Sequence, residues 1–400
     1  MSLIQPWASQ AWGYLLSLAV VVAFGWLLSL PRSWRLVDDT PSRLSTLDGL
    51  RGLLSYAVFA HHFVIICQFT QSGRWAMPPT SMYTLFGHLP VAVFFQLTAF
   101  LFWRKVLDSE APLDYGRLIA GRVRRLTPAY VLAVVATLLV LAVQTNFKLQ
   151  VPRWLLAHQV AAWFSFGFVW VFPGTTNGYD FAGAVNSVLW TLAYEWRFYL
   201  LLPLFALFRS DRRFPFLLLA MIYVWPDIAH GQHVVVNFAF GMIAARVSKA
   251  VPALSRPATL LLDVIALAAL LGVFRTETMG YDWGATVWVA LFMHAIVLGG
   301  SLFGLLRLRG LRALGTLSYS IYLLHNVVLF ASMWPLRSLV VGGTLSPVSM
   351  LLLMTALGLL VVSISVVSYW CTEEPFLRQT TARKPQPEPR RAAQPSEQSA

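Results

Sequence analysis

Eleven apolar stretches follow one another through this 400-residue chain, near residues 11–30, 49–70, 84–103, 126–144, 188–208, 214–229, 234–248, 258–274, 284–304, 316–335 and 347–371. A helix rises about 1.5 Å per residue, so a run of about twenty matches the roughly 30 Å hydrocarbon core of a bilayer. The expectation is an all-α, polytopic membrane protein with about ten core transmembrane helices and one extra N-terminal helix. Composition agrees, with 58% hydrophobic and only 12% charged residues, against roughly 25% charged in a soluble domain.

The net charge of +13 does not point to nucleic acid, because the Lys and Arg residues cluster between the apolar runs, as in cytoplasmic loops. Alternate loops are the basic ones. They carry Arg104, Lys105, Arg117, Arg122, Arg124 and Arg125, then Arg209, Arg212 and Arg213, then Arg246, Lys249 and Arg256, then Arg307, Arg309 and Arg312. This alternation requires the apolar stretch 154–172 to enter and leave on the outer side or to lie along the interface. Its neighbour PGTTNGYDFAG (173–183) has the composition of a lid or substrate-facing loop. The short runs 214–229 and 234–248 read as tilted, broken or partly interfacial.

Residues 11–30 have no basic leader and no small-residue cleavage pattern, and Arg32, Arg35 and Arg43 follow them. They read as a retained helix with its N-terminus outside and the C-terminus of the chain cytoplasmic, in a plasma or inner membrane. Three units are expected: 1–44, the extra helix and a basic linker; 45–377, the transmembrane domain; and 378–400, a tail rich in Pro, Gln, Arg and Ser that cannot bury a core and reads as disordered. Cys67 and Cys371 fall in apolar runs without CxxC or Cys/His spacing, so neither a metal site nor a disulfide framework is expected.

Polar residues inside the apolar runs carry the functional reading. Arg51 and His62 are eleven positions apart in LDGLRGLLSYAVFAHHF, which at about 100° per residue puts them on one helix face. The imidazole then lies about 16 Å deeper than the guanidinium. An ionisable group at that depth is costly and marks a functional site. His61 points roughly 80° away and reads as structural, as does His294. Glu195 and His325 come out about 20 Å in from the basic loops that flank their helices, so three ionisable groups are expected near one level. Tyr199 shares a face with Glu195, and Ser318 and Tyr322 share one with His325. The run YGRLIAGRVRRLTPAY (115–130) sets Arg122 and Arg125 on adjacent faces of one turn. That is consistent with simple topology or lipid contact, and equally with a site where guanidinium forks grip phosphates.

Together these segments resemble the membrane-bound acyltransferase 3 family, over roughly residues 45–377. LDGLRG followed by His62 resembles the family's first-helix signature, PVAVFFQLTAFLF (90–102) its FF element, and RVRRLTPAY its Arg-x-x-Arg segment. LWTLAYEWRFYLLLPL, LSYSIYLLH and EEPF (373–376) resemble three later motifs in the same order. The chain departs from the pattern at Ala92, where the family often has Asp, and at Trp196, where it often has a second Glu. It also shows a short tail in place of the soluble hydrolase-like domain that many members carry.

The resemblance implies an integral membrane O-acyltransferase that takes an acyl group from acyl-CoA, acetyl-CoA being the commonest donor, and places it on a hydroxyl of a surface or exported sugar or polysaccharide. Acyl-CoA is then a co-substrate, and no bound cofactor or metal is expected. In this reading Arg51, Arg122 and Arg125 bind the donor's phosphates. His62 is the general base, since imidazole has an ordinary pKa of about 6.5, while Glu195 orients it or holds the acceptor. Tyr199, Tyr322 and His325 contact the acceptor or the oxyanion. An acyl-histidine intermediate and a carrier role for Ser318 both stay open. The rival class is a proton-coupled transporter or flippase, for which intramembrane His and Glu are also typical, although no internal repeat or broken-helix pair stands out.

Overall fold

A computed structural model describes residues 11–31, 36–37, 45–110, 113–168, 172–180, 182–223, 234–252, 254–276, 283–341 and 345–376. Among them fourteen α-helices follow in chain order. The first seven are α1 (Ala11–Leu28), α2 (Ser45–Ser72), α3 (Ser81–Asp108), α4 (Tyr115–Gln144), α5 (Arg153–Phe164), α6 (Ala182–Val185) and α7 (Trp190–Ala206). The rest are α8 (Phe214–Tyr223), α9 (Val234–Ala250), α10 (Arg256–Arg275), α11 (Trp283–Val297), α12 (Arg309–Thr316), α13 (Ser318–Val341) and α14 (Pro347–Thr372). The described residues contain no strand, only an isolated bridge between Thr176 and Tyr179. The basic linker with Arg32, Arg35 and Arg43, and the tail 378–400, lie outside the described residues.

Seven helices, α1, α2, α3, α4, α10, α13 and α14, are long and apolar enough to cross a membrane. The other expected spans correspond to the shorter helices α7, α8, α9 and α11, of 17, 10, 17 and 15 residues. Local breaks account for two of them. The run beginning at 188 opens with a turn before α7 starts at Trp190, and α11 stops at Val297, ahead of Gly299 at φ +128°. In the stretch near 154–172 the described residues form the 12-residue α5, about 18 Å long and too short to cross. Asn177 ties the loop beside it down, accepting from Gln150 N–H and donating to Thr145 Oγ1 and the Lys148 carbonyl.

The glycines of LDGLRG explain how α2 becomes the centre of the bundle. A Cβ at Gly49 would overlap the Leu306 carbonyl, one at Gly52 the Leu311 carbonyl, and one at Gly315 the Asp48 carbonyl. Backbone therefore packs on backbone where α2 meets α12 and the 3₁₀ turn Leu305–Arg307, which only glycine permits. From Leu54 to Cys67 every residue of α2 is buried. On the opposite flank, Gly241 of α9 lies against the Gln96 carbonyl of α3, beside a buried bond from Gln96 Nε2 to Asn237 Oδ1 at 2.9 Å.

Lipid-facing surface is equally legible. On α10, Leu260, Leu261, Val264, Leu267 and Leu271 are all exposed, at helical spacing that leaves one apolar stripe outward. The N-terminal α1 is integrated into the bundle. Its Ser17 hydroxyl bonds the Tyr56 hydroxyl and accepts from Thr355 Oγ1 at 3.0 Å, and Gly310 packs on its Val22 carbonyl.

Candidate active site

Residues of α2, of α3, of the first half of α4, of α7 and of the first turns of α13 line a cavity of about 270 Å³. Arg51, Lys105, Arg122 and Arg125 line it, with Glu195 as the one carboxylate among its lining residues. The whole cluster GRVRR lies on α4, which begins at Tyr115, capped by the Asp114 side chain accepting from Arg117 N–H at 2.9 Å. Helical geometry thus turns Arg122 and Arg125 inward, whereas Arg124 between them is exposed.

The guanidinium of Arg122 lies over the Phe102 ring at 4.7 Å and over Tyr199 at 6.0 Å, which holds its fork in place by cation–π attraction. Glu195 is engaged elsewhere: Tyr199 Oη donates to its Oε2 at 3.1 Å, and Thr98 Oγ1 lies 3.5 Å from Oε1. Among the described residues no carboxylate comes within 4.0 Å of Arg51, Arg122 or Arg125, the ion pairs there being Arg104–Asp108, Arg117–Asp114, Arg246–Asp211 and Lys249–Asp108. Three guanidiniums without an ion pair thus face one cavity, the chemistry that recognises phosphates and carboxylates. The described residues hold no cluster of three metal-ligating side chains.

Two of the lining residues, Thr191 and Tyr322, share a polar contact. Tyr322 Oη and Thr191 Oγ1 are 2.9 Å apart, and Tyr322 also reaches the Val188 carbonyl at 3.5 Å. His62, His325 and Ser187 are not among the lining residues. They form a hydrogen-bonded chain next to that contact, since His325 follows Tyr322 by three residues and Ser187 precedes Thr191 by four.

Hydrogen bonding fixes the tautomers in that chain. His325 Nδ1 faces the Ile321 carbonyl at 3.0 Å, so in the neutral ring it carries the proton and leaves Nε2 as an acceptor. His62 Nδ1 lies 3.1 Å from His325 Nε2 and 3.1 Å from the Val58 carbonyl, two acceptors, and must therefore be the protonated nitrogen of His62. His62 Nε2 is then the free lone pair, and Ser187 Oγ stands 3.1 Å from it. A buried imidazole with a fixed tautomer and an available Nε2 is equipped to take a proton from a hydroxyl.

The three groups expected at one level therefore separate into two sets. His62 and His325 meet, whereas Glu195 lines the cavity beside Tyr199 and Thr98. The ring nitrogen 3.1 Å from His62 Nδ1 belongs to His325, and the hydrogen-bond partners of Glu195 are Tyr199 and Thr98. His61 donates from Nδ1 to the Tyr83 carbonyl at 2.7 Å and packs on Gly87. His294 bonds the Ala290 carbonyl at 2.7 Å. Ser318 lines the cavity, and its hydroxyl is buried without a hydrogen-bond partner. Sequence reasoning missed Ser187, Asn326, Thr191 and Thr98. Asn326 adjoins His325, and Ser187 stands one helical turn ahead of Thr191, but no spacing rule singles them out.

Residues 44–370 match the acyltransferase 3 family model, described as an acyltransferase domain. The chain belongs to the acyltransferase 3 family. It is accordingly an acyltransferase, carried by a multi-pass membrane bundle. No curated protein and no solved structure matches it. Two of the segments singled out in the sequence acquire a physical account from the geometry. The glycines of LDGLRG admit the backbone of α12 and so place Arg51 at the cavity, and Glu373 of EEPF is fully buried, accepting from Ser320 Oγ at 2.7 Å. Trp196, which follows Glu195, packs its indole against Phe166 at 5.6 Å and Tyr199 at 5.8 Å and does not line the cavity.

Proposed function

We propose that this acyltransferase moves an acyl group, acetyl in the first instance, from cytosolic acyl-CoA to a hydroxyl of a sugar in a cell-surface or exported glycan. The observation that carries the reading is an arginine-lined cavity whose lining residue Tyr322 stands three residues from His325, the partner of the His62 imidazole. The phosphates bind Arg51, Arg122 and Arg125 at the cytosolic mouth. A cavity of about 270 Å³ is at the small end of ligand pockets, roughly 300–1,000 Å³, so it takes the slender thioester arm while the nucleotide stays at the surface.

The thioester carbonyl reaches His62 when the Tyr322–Thr191 contact opens. Tyr322 is then freed to donate to the developing oxyanion, and Glu195 holds Tyr199 and the arm's polar groups. His62 Nε2 takes the proton of the attacking hydroxyl, and His325 accepts from Nδ1–H and keeps the ring aligned. The acceptor arrives from the outer end of the bundle. In this topology the shorter helices α7, α8, α9 and α11 also cross, giving eleven spans, with the bilayer thinned beside them.

The test compares, by mass spectrometry, the glycans of a strain with and without this protein. Loss of one acyl substituent per modified sugar is expected, and the mass difference names the group. Identical glycans, together with proton-coupled uptake into vesicles and no consumption of acyl-CoA, would overturn the reading in favour of a transporter.

A further inference from the structure

We infer that Ser187 is an acyl carrier, whose hydroxyl takes the acyl group from the thioester and passes it to the acceptor, His62 moving the proton in both halves. This deepens the function proposed above and rests on it. The lone pair of His62 leads to the serine first. With Nδ1–H committed to Val58 and His325, only Nε2 can act as base, and the group 3.1 Å away is the Ser187 hydroxyl. A hydroxyl, a base within hydrogen-bond reach of it and a third group orienting the base form the arrangement that makes a nucleophile of serine.

Asn326 supplies the second observation. Its Nδ2 is anchored on the Ala184 carbonyl at 2.8 Å and donates to Ser187 Oγ at 3.1 Å. The oxygen already accepts from Asn326, so its own proton is directed to His62. The third observation is position. Ser187 is half-buried in the turn between α6 and α7, four residues ahead of Thr191, which lines the cavity and bonds Tyr322. In the reading proposed above, a thioester coming through the cavity and a sugar coming from the opposite end meet beside this turn. A hydroxyl placed there can serve each in turn, so the two substrates need never occupy the site together.

In the first half, Ser187 Oγ attacks the thioester carbonyl as its proton passes to His62 Nε2. The C–S bond then breaks, and the departing thiolate takes that proton and leaves as the thiol of CoA. In the second half, the sugar hydroxyl gives its proton to His62 Nε2 and attacks the seryl ester. The bond from the acyl carbon to Ser187 Oγ breaks, and Oγ is reprotonated by His62. The sum is thioester plus alcohol giving ester plus thiol.

Isotope exchange tests the carrier directly. Purified protein in nanodiscs receives unlabelled acetyl-CoA and labelled CoA with no acceptor present. A carrier makes labelled acetyl-CoA at a rate comparable to turnover, and Ser187→Ala should lower both exchange and transfer at least 100-fold while eluting and melting as the parent does. Ser187→Cys should regain exchange and hold a thioester that neutral hydroxylamine cleaves, which keeps the proposal testable should the alanine variant fold poorly. A parent protein that transfers acetyl to sugar yet shows no exchange overturns the carrier, as does undiminished exchange in Ser187→Ala. A parent that consumes no acyl-CoA with any acceptor overturns the acyl-transfer reading itself.

Discussion

Replacing Arg122 and Arg125 together by alanine should raise the apparent KM for acyl-CoA by about 30- to 150-fold. A charge-assisted hydrogen bond contributes roughly 1.5–3 kcal/mol when well shielded. Both arginines are half-buried on α4, so solvent screening places each nearer about 1–1.5 kcal/mol. Two such contacts sum to about 2–3 kcal/mol, and each 1.4 kcal/mol is about tenfold in affinity. Because the phosphates are remote from the reacting carbonyl, ground state and transition state lose the same amount, and kcat should stay nearly constant. The parent's KM should also rise with ionic strength, and that dependence should flatten in the variant. The assay is release of CoA thiol by protein in nanodiscs across a range of acyl-CoA concentrations. Arg124→Ala is the internal control, since Arg124 shares the cluster but is exposed and does not line the cavity. An unchanged KM in the double variant, or an equal rise in Arg124→Ala, would refute the assignment and return the cluster to membrane topology alone.

Two further predictions address the base and the bundle. His325→Ala should lower kcat about tenfold, the loss of one hydrogen bond of roughly 1–1.5 kcal/mol, because the Val58 carbonyl still holds the His62 tautomer. His325→Gln, which keeps an acceptor, should recover part of it, and steady-state rates with unchanged donor KM check both. Gly49→Ala should lower the melting temperature in detergent, because the added Cβ overlaps the Leu306 carbonyl and overpacking costs roughly 1–3 kcal/mol or more. Gly121→Ala, where an added Cβ meets nothing within 4 Å, should melt no lower than the parent, and equal melting of the two variants would contradict the close packing of α2 on α12.

How much of this was readable from the chain depends on which coordinate is asked for. Rise per residue gives depth, and depth alone sets His62 and His325 at one level, where their nitrogens lie 3.1 Å apart. Glu195 comes out at a similar depth by the same count, yet it faces Tyr199 and Thr98 on the cavity side. Position around the bundle follows from which helix packs on which, and the apolar pattern does not encode it. Ser187 escaped for a related reason: Val188 and Leu189 extend the apolar run back to its border, so a hydropathy window merges the turn before Trp190 with the helix that follows. The same merging overstates the length of α7. The glycines of LDGLRG were visible as a motif, but the reason for them lies in the carbonyls of Leu306 and Leu311, more than 250 residues away in the chain.

The central claim is that His62 is the base of an acyl transfer fed from the arginine-lined cavity, and His62→Ala tests it most directly. Acceptor acylation by reconstituted protein would be measured with labelled acyl-CoA beside the parent, with elution profile, melting and donor binding as controls for folding and insertion. Loss of a general base costs roughly 10²- to 10⁴-fold, so the account predicts transfer reduced to about 1% or less with donor affinity preserved. Transfer within a few-fold of the parent would contradict it.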